Sequence, residues 1–147
     1  MHLTSEGQAK KILVVTETFV EEDYIPKKEY FMMIEKVLDQ LQGLGTLTIK
    51  LHPREIHEKE YLHIISRKGY AVTITKGSDR RNFYSLLQNA DIVINFFSTV
   101  ALEAMILGKM IVTVDLGPPL VRDVQQSIFA GGPVIKITDD LRKTVMD

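Results

Sequence analysis

Apolar residues along the chain alternate between two rhythms. Short β-rich runs stand at 11–17 (KILVVTE), 46–53 (TLTIKLHP), 71–76 (AVTITK), 91–97 (DIVINFF), 110–117 (MIVTVDLG) and 133–139 (PVIKITD). Between them the apolar positions take helical spacing. Hydrophobic strands that alternate with helices are the pattern of a parallel sheet covered on both faces. The sequence therefore predicts a doubly wound, Rossmann-like α/β fold with a six-stranded parallel sheet.

In the first helical segment Tyr30, Ile34, Val37, Leu38 and Leu41 share one face, and Gly43 and Gly45 stop it. The second carries Tyr61, Leu62 and Ile65 inward and ends near Gly69. The third, 80–89, follows Ser78 and Asp79 as N-caps and buries Phe83, Leu86 and Leu87. The fourth, 98–107, is apolar nearly all round, which predicts close packing on the sheet, and Gly108 ends it. A short helix is expected inside 117–132 (GPPLVRDVQQSIFAGG), between a Pro-Pro turn and two glycines. Another starts in 139–147 (DDLRKTVMD), where Asp139 and Asp140 suit a helix N-terminus.

A length of 147 residues fits one domain, read as a polar, loose tail over 1–10 and a folded unit over 11–147. The net charge of -1 excludes the basic footprint of a nucleic-acid-binding protein, so no nucleic-acid partner is expected and any anionic ligand must be held by local groups. There are no cysteines, which excludes disulfides, thiolate zinc sites and a cysteine nucleophile. That usage fits a reducing compartment, and a cytoplasmic location is the expectation. The apolar runs fall far short of a membrane span.

Open parallel sheets bind ligands outside the carboxyl ends of their strands. The helix that opens at Ser98 would direct unpaired N–H groups and its positive dipole end toward that rim, where the Ser98 and Thr99 hydroxyls can complete a phosphate site. The simpler reading of either hydroxyl is a helix cap. Glu103 stands one turn past Thr99, out of place for a capping box, and is either a ribose-binding carboxylate or a solvated helix residue. In KLHPRE, 50–55, Pro53 ends the strand and leaves His52 at the rim with Lys50 and Arg54 as neighbouring cations. His52 can donate a hydrogen bond to phosphate or act as the acid for a leaving phosphate, or it can simply bond a backbone carbonyl. His52, His57 and His63 have no compact ligand spacing, so no metal is expected. P-loop, dinucleotide-fingerprint and nucleophile-elbow motifs are all missing.

KLHP at one strand end and STVALEAMILGK two strands later resemble the C-terminal, donor-binding half of GT-B glycosyltransferases, in particular bacterial sialyl-, polysialyl- and capsule-type transferases. His52 and Pro53 match their HP motif, and Ser98 and Thr99 match their S-S/T motif, both of which hold nucleotide phosphates. LEAMILGK is similar to the stretch in which a glutamate binds the donor ribose, a match that falls on Glu103. The resemblance implies a sugar-nucleotide-binding domain for surface polysaccharide or glycoconjugate synthesis. Its substrate would be a UDP- or CMP-linked sugar, with no cofactor; Lys50, Arg54, Ser98 and Thr99 would meet phosphate and His52 would be catalytic. UDP-N-acetylglucosamine 2-epimerases share the fold, but Phe97-Ser98-Thr99-Val100 occupies the place of their glycine-rich stretch. A non-enzymatic interaction module, with Ser98 as a cap and Glu103 in a salt bridge, is the third reading.

GT-B catalysis needs a second, N-terminal acceptor domain, which this sequence lacks. The expectation is a fragment, or a subunit whose partner domain is supplied in cis or trans, inactive in isolation and able to associate with membranes only through that partner.

Overall fold

The computed structural model describes residues 10–77, 80–96, 100–116, 134–136 and 141–146. The elements run β1 (Lys11–Val15), α1 (Lys27–Leu41), β2 (Thr46–Leu51), α2 (Glu58–Lys68), β3 (Val72–Lys76), α3 (Arg80–Asn89), β4 (Ile92–Asn95), α4 (Val100–Ile106), β5 (Met110–Asp115), β6 (Val134–Lys136) and α5 (Leu141–Met146). The short helix expected within 117–132 and the caps Ser78 and Asp79 lie outside the described residues.

The strand order is β3-β2-β1-β4-β5-β6, with every pair parallel. Five strands of four to six residues carry the sheet. The sixth segment expected from sequence is only the three-residue β6 at one edge, in register from Thr113↔Val134 to Asp115↔Lys136.

Alternation along β1 divides the core in two, because successive strand residues point to opposite faces. Ile12 and Val14 join a large cluster with Ile34, Leu38 and Leu41 of α1 and Tyr61 and Ile64 of α2. Leu13 and Val15 join a smaller one with Leu87 of α3, Val93 of β4 and Ala104 of α4. Each such side chain, buried, contributes about 1.5–3 kcal/mol.

Two helical faces differ from the sequence expectation. In α2 the buried residues are Tyr61 and Ile64, one turn apart, with Ile65 packed beside them, whereas Leu62 points away and is 50% exposed. In α4, Ala104 is fully buried but Ile106 is 84% exposed and Met105 42%. The sheet covers one side of α4 only, so its apolar composition did not mean all-round burial.

The last helix docks on the first. Leu141 and Val145 bury in the larger core. Gln40 Oε1 accepts the Leu141 N–H at 2.6 Å, and the Arg142 guanidinium reaches the Gln42 carbonyl at 2.6 Å, satisfying groups that helix ends leave unpaired.

Two glycines are dictated by geometry. Gly69 ends α2 at φ 70°, with helix carbonyls Ile65 and Ser66 capped. At Gly45 the limit is space: a Cβ would lie 2.2 Å from the Lys10 carbonyl oxygen, which accepts the Thr46 N–H at 2.8 Å as β2 enters the sheet beside β1. Gly45→Ala is therefore expected to destabilise the fold by roughly 1–3 kcal/mol, the usual cost of overpacking, while Gly69→Ala is strained by its φ alone. Urea unfolding of the two variants with an unchanged slope checks this; a wild-type midpoint for Gly45→Ala would contradict the close approach.

Candidate functional site

Strand order reverses between β1 and β4, the place where an open α/β sheet leaves a crevice outside its carboxyl ends. The groups at this rim come from the segments after β1, β2, β3 and β4.

After β2 the chain turns at once. The Glu55 N–H donates to the His52 carbonyl at 3.0 Å, a β-turn with Pro53 in the second position, where its fixed φ is pre-set. The Arg54 N–H donates to His52 Nδ1 at 3.1 Å. An Nδ1 that accepts a hydrogen bond carries no proton, so the neutral ring holds its proton on Nε2. The imidazole pKa is lowered, by burial first and then by Arg54 and Lys50, against the opposing pull of Glu22 and Glu21. At neutral pH His52 is thus an uncharged N–H donor, a state suited to hydrogen-bonding an anion rather than to delivering a proton.

The same turn contains a buried carboxylate that the sequence did not reveal. Glu55 is 2% exposed. Its Oε2 accepts the His52 backbone N–H at 2.7 Å and the Thr16 hydroxyl at the end of β1. Its Oε1 accepts the Tyr61 hydroxyl of α2 at 2.5 Å, and Tyr61 lies 2.7 Å from the Tyr30 hydroxyl of α1. With the Tyr61 proton directed at Glu55, Tyr30 donates to Tyr61. Burial raises the Glu55 pKa despite the opposing bonds from Thr16, Tyr61 and His52, and burial, with Glu55 contributing, raises both tyrosines well above their ordinary value. HPREIHEKE, 52–60, reads as a solvated charged stretch. Only the arrival of Thr16 and Tyr61 from elsewhere in the chain makes a core residue of Glu55.

The cations at the rim are engaged with the protein. Lys50 is buried, and its Nζ donates to the Leu51 carbonyl at 2.7 Å and the Gly77 carbonyl at 2.9 Å, tying the end of β2 to the segment after β3. Burial lowers its pKa, opposed by Glu55. An ammonium has three N–H donors, so one is left for an incoming acceptor. Arg54 is exposed and faces Glu22 at 3.4 Å. Glu21 accepts the Ile56 N–H at 3.1 Å, and Lys76 Nζ donates to the Glu55 carbonyl at 2.6 Å.

On the other flank, Glu103 in α4 faces Arg80 of α3 at 3.5 Å and is about a third exposed, while Arg80 is almost fully exposed. Such a surface pair contributes at most about 1 kcal/mol and yields easily to a competitor. Glu103, Arg80, Phe83 and Tyr84 line a pocket of about 350 Å³. Phe83 also lies under the Lys50 ammonium, 5.9 Å from ring centre to Nζ, so a ring that lines the Glu103 pocket also meets Lys50. The ends of β2 and β4 stand two strand spacings apart, about 10 Å, with β1 between. Ser98 and Thr99 lie outside the described residues. Near the end of β4, buried Asn95 donates to Thr113 Oγ1 at 3.1 Å, a link to β5 that the sequence did not signal.

Among the described residues no group of three or more histidine or acidic side chains is placed to hold a metal ion, and no helix is long and apolar enough to cross a membrane.

The sheet order and the rim define a Rossmann-like α/β protein, and solved structures share that fold. UDP-GlcNAc 2-epimerase from Methanocaldococcus jannaschii, in complex with UDP-GlcNAc and UDP, superposes with a TM-score of 0.64 at 17% identity, over 96% of this chain and 39% of that one. UDP-GlcNAc 2-epimerase from Neisseria meningitidis, bound to UDP-GlcNAc, gives 0.53 at 13% identity, over 95% of this chain and 34% of that one. The MAR1 ribonuclease from Caenorhabditis elegans gives 0.62 at 12% identity, over 95% and 83%. The chain thus spans under two-fifths of the length of these epimerases. At such identities the likeness is one of fold, and a fold shared by sugar-nucleotide enzymes and a ribonuclease does not by itself fix an activity. No protein-family model matches the sequence, and no curated protein matches it.

The buried carboxylate and the turn histidine make opposite contributions to pH dependence. Glu55, whose folded pKa is raised, contributes stability that is fully present below its unfolded value near 4.5 and is lost as pH rises through the folded value. His52, whose folded pKa is lowered, contributes stability present above about 6.5 and lost as pH falls through the folded value. The stability difference between wild type and Glu55→Gln is expected to shrink upward from about pH 4.5, and that between wild type and His52→Gln to shrink downward from about pH 6.5. Urea unfolding at stepped pH measures both; parallel curves for all three proteins would contradict the assignment.

Proposed function

We propose that the chain is the nucleotide-sugar-binding half of a GT-B-type enzyme, a glycosyltransferase that acts in surface polysaccharide or glycoconjugate synthesis. The observation that carries this reading is the placement of the His52 turn and of α4 on the two flanks of the point where strand order reverses. In this reading His52 Nε2–H and the free Lys50 donor meet a phosphate oxygen. Ser98 and Thr99 complete the anion site, and Arg54 lies at its margin. Glu103 exchanges Arg80 for the ribose hydroxyls. The base would lie toward the segment between β3 and α3, and the acceptor would come with a partner domain.

A second reading, a UDP-GlcNAc 2-epimerase-like half, is supported by the solved structures of similar fold, two of which carry UDP-GlcNAc. The transferase reading is favoured over it by the sequence at the mouth of α4, where Ser98 and Thr99 replace glycines.

Calorimetric titration with UDP and with CMP tests the shared part of both readings. One nucleotide is expected to bind, with affinity reduced about 10- to 100-fold in Glu103→Ala and in His52→Ala, the loss of one or two hydrogen bonds to charged groups. Arg80→Ala should bind as well as wild type or better, because it removes only a competitor for Glu103. Equal binding by wild type, Glu103→Ala and His52→Ala would refute the residue roles. Absence of binding by wild type to either nucleotide would favour an interaction module. With a complementary acceptor domain added, product formation that requires an acceptor sugar separates the transferase from the epimerase.

A further inference from the structure

Glu55 has no place in the motifs that brought His52 forward, yet it holds His52 from below. Within four residues the turn makes three hydrogen bonds that depend on one another: Glu55 N–H to the His52 carbonyl at 3.0 Å, His52 N–H to Glu55 Oε2 at 2.7 Å, and Arg54 N–H to His52 Nδ1 at 3.1 Å. The first two close a ring that fixes the backbone at both ends of the turn. That ring sets where the Arg54 N–H points, and the Arg54 N–H decides which imidazole nitrogen is free.

We propose that Glu55 is a positioning residue whose carboxylate, anchored to β1 through Thr16 and to α2 through Tyr61, locks His52 in the Nε2–H tautomer and so presents a neutral donor to the phosphate of a nucleotide ligand. The presentation to phosphate rests on the function proposed above; the lock on the tautomer does not.

The anchoring explains why glutamate is suited to position 55. One oxygen must reach the His52 N–H and the Thr16 hydroxyl while the other meets Tyr61, so three of the four lone-pair directions are filled in a site only 2% exposed. Aspartate is one methylene shorter and cannot span the same three partners. Glutamine keeps one carbonyl oxygen for His52 and Thr16, and its amide can donate to the Tyr61 hydroxyl once the tyrosine proton turns away. Alanine leaves the His52 N–H without its acceptor and removes the carboxylate from the Thr16 and Tyr61 hydroxyls, so that of the two bonds closing the ring only Glu55 N–H to the His52 carbonyl remains.

Long-range 1H–15N correlation spectra of the uniformly labelled chain, with His52→Gln to identify the signal, read the tautomer directly. The wild type is expected to show Nε2 protonated and Nδ1 bare. Glu55→Gln should keep that pattern, and Glu55→Ala should give the mixture of a free histidine and weaken UDP binding about tenfold, as for one misaligned hydrogen bond. A wild-type spectrum with Nδ1 protonated overturns the proposal whether or not the alanine variant folds. So does a folded Glu55→Ala that keeps the wild-type tautomer. UDP added to the wild type is expected to shift the His52 Nε2 signal. A fixed tautomer with no shift once UDP is bound overturns the presentation to phosphate while the lock stands on the ligand-free spectra, and failure of both UDP and CMP to bind overturns the nucleotide reading itself.

Discussion

Strand β1 gives its backbone to β2 on one side and β4 on the other, and its side chains to two cores. A parallel strand in that position can have no polar face, and Ile12, Leu13, Val14 and Val15 supply none. The order of the whole sheet follows. The chain builds outward from β1 to β3, returns across β1 to start β4, and builds outward again. The return creates the crevice, so a strand buried on both faces also defines where the carboxyl edge opens.

At that edge the polar groups are coupled rather than scattered. Thr16 at the end of β1, the His52 turn after β2 and Tyr61 on α2 converge on one carboxylate. Burying a carboxyl costs free energy unless its lone pairs are met, and here three donors meet three of the four. The arrangement fixes the angle at which β2 hands the chain to α2, and with it the orientation of His52. Lys50, threaded to the carbonyls of Leu51 and Gly77, does the same between β2 and β3.

The resulting rim is pre-organised more by hydrogen bonds than by charge. Arg54 meets Glu22, Arg80 meets Glu103, and the donors of Lys50 are mostly engaged. A ligand at this site would gain little from net positive potential. It would be recognised by directed donors, such as an imidazole N–H, and by exchange with weak surface pairs. That is consistent with a chain whose net charge is -1.

The sequence by itself determined the class of fold, because strand and helix periodicities are local and the apolar runs at β1 and β4 admit no solvated face. It also placed His52 at a strand end and Glu103 in the helix after β4, since Pro53 must end a ladder and α4 must follow β4. Periodicity was less reliable where composition was uniform: α4 is apolar apart from Glu103, and only the sheet's position selects Ala104 for burial and leaves Ile106 in solvent. Tertiary structure alone decided that Glu55 is a core residue, that Lys50 is tied to two carbonyls, and that His52 keeps a bare Nδ1. Each of those outcomes depends on groups brought from distant positions or on the exact closure of a turn. A carboxylate, an ammonium and an imidazole carry no mark in sequence of whether protein or water will satisfy them.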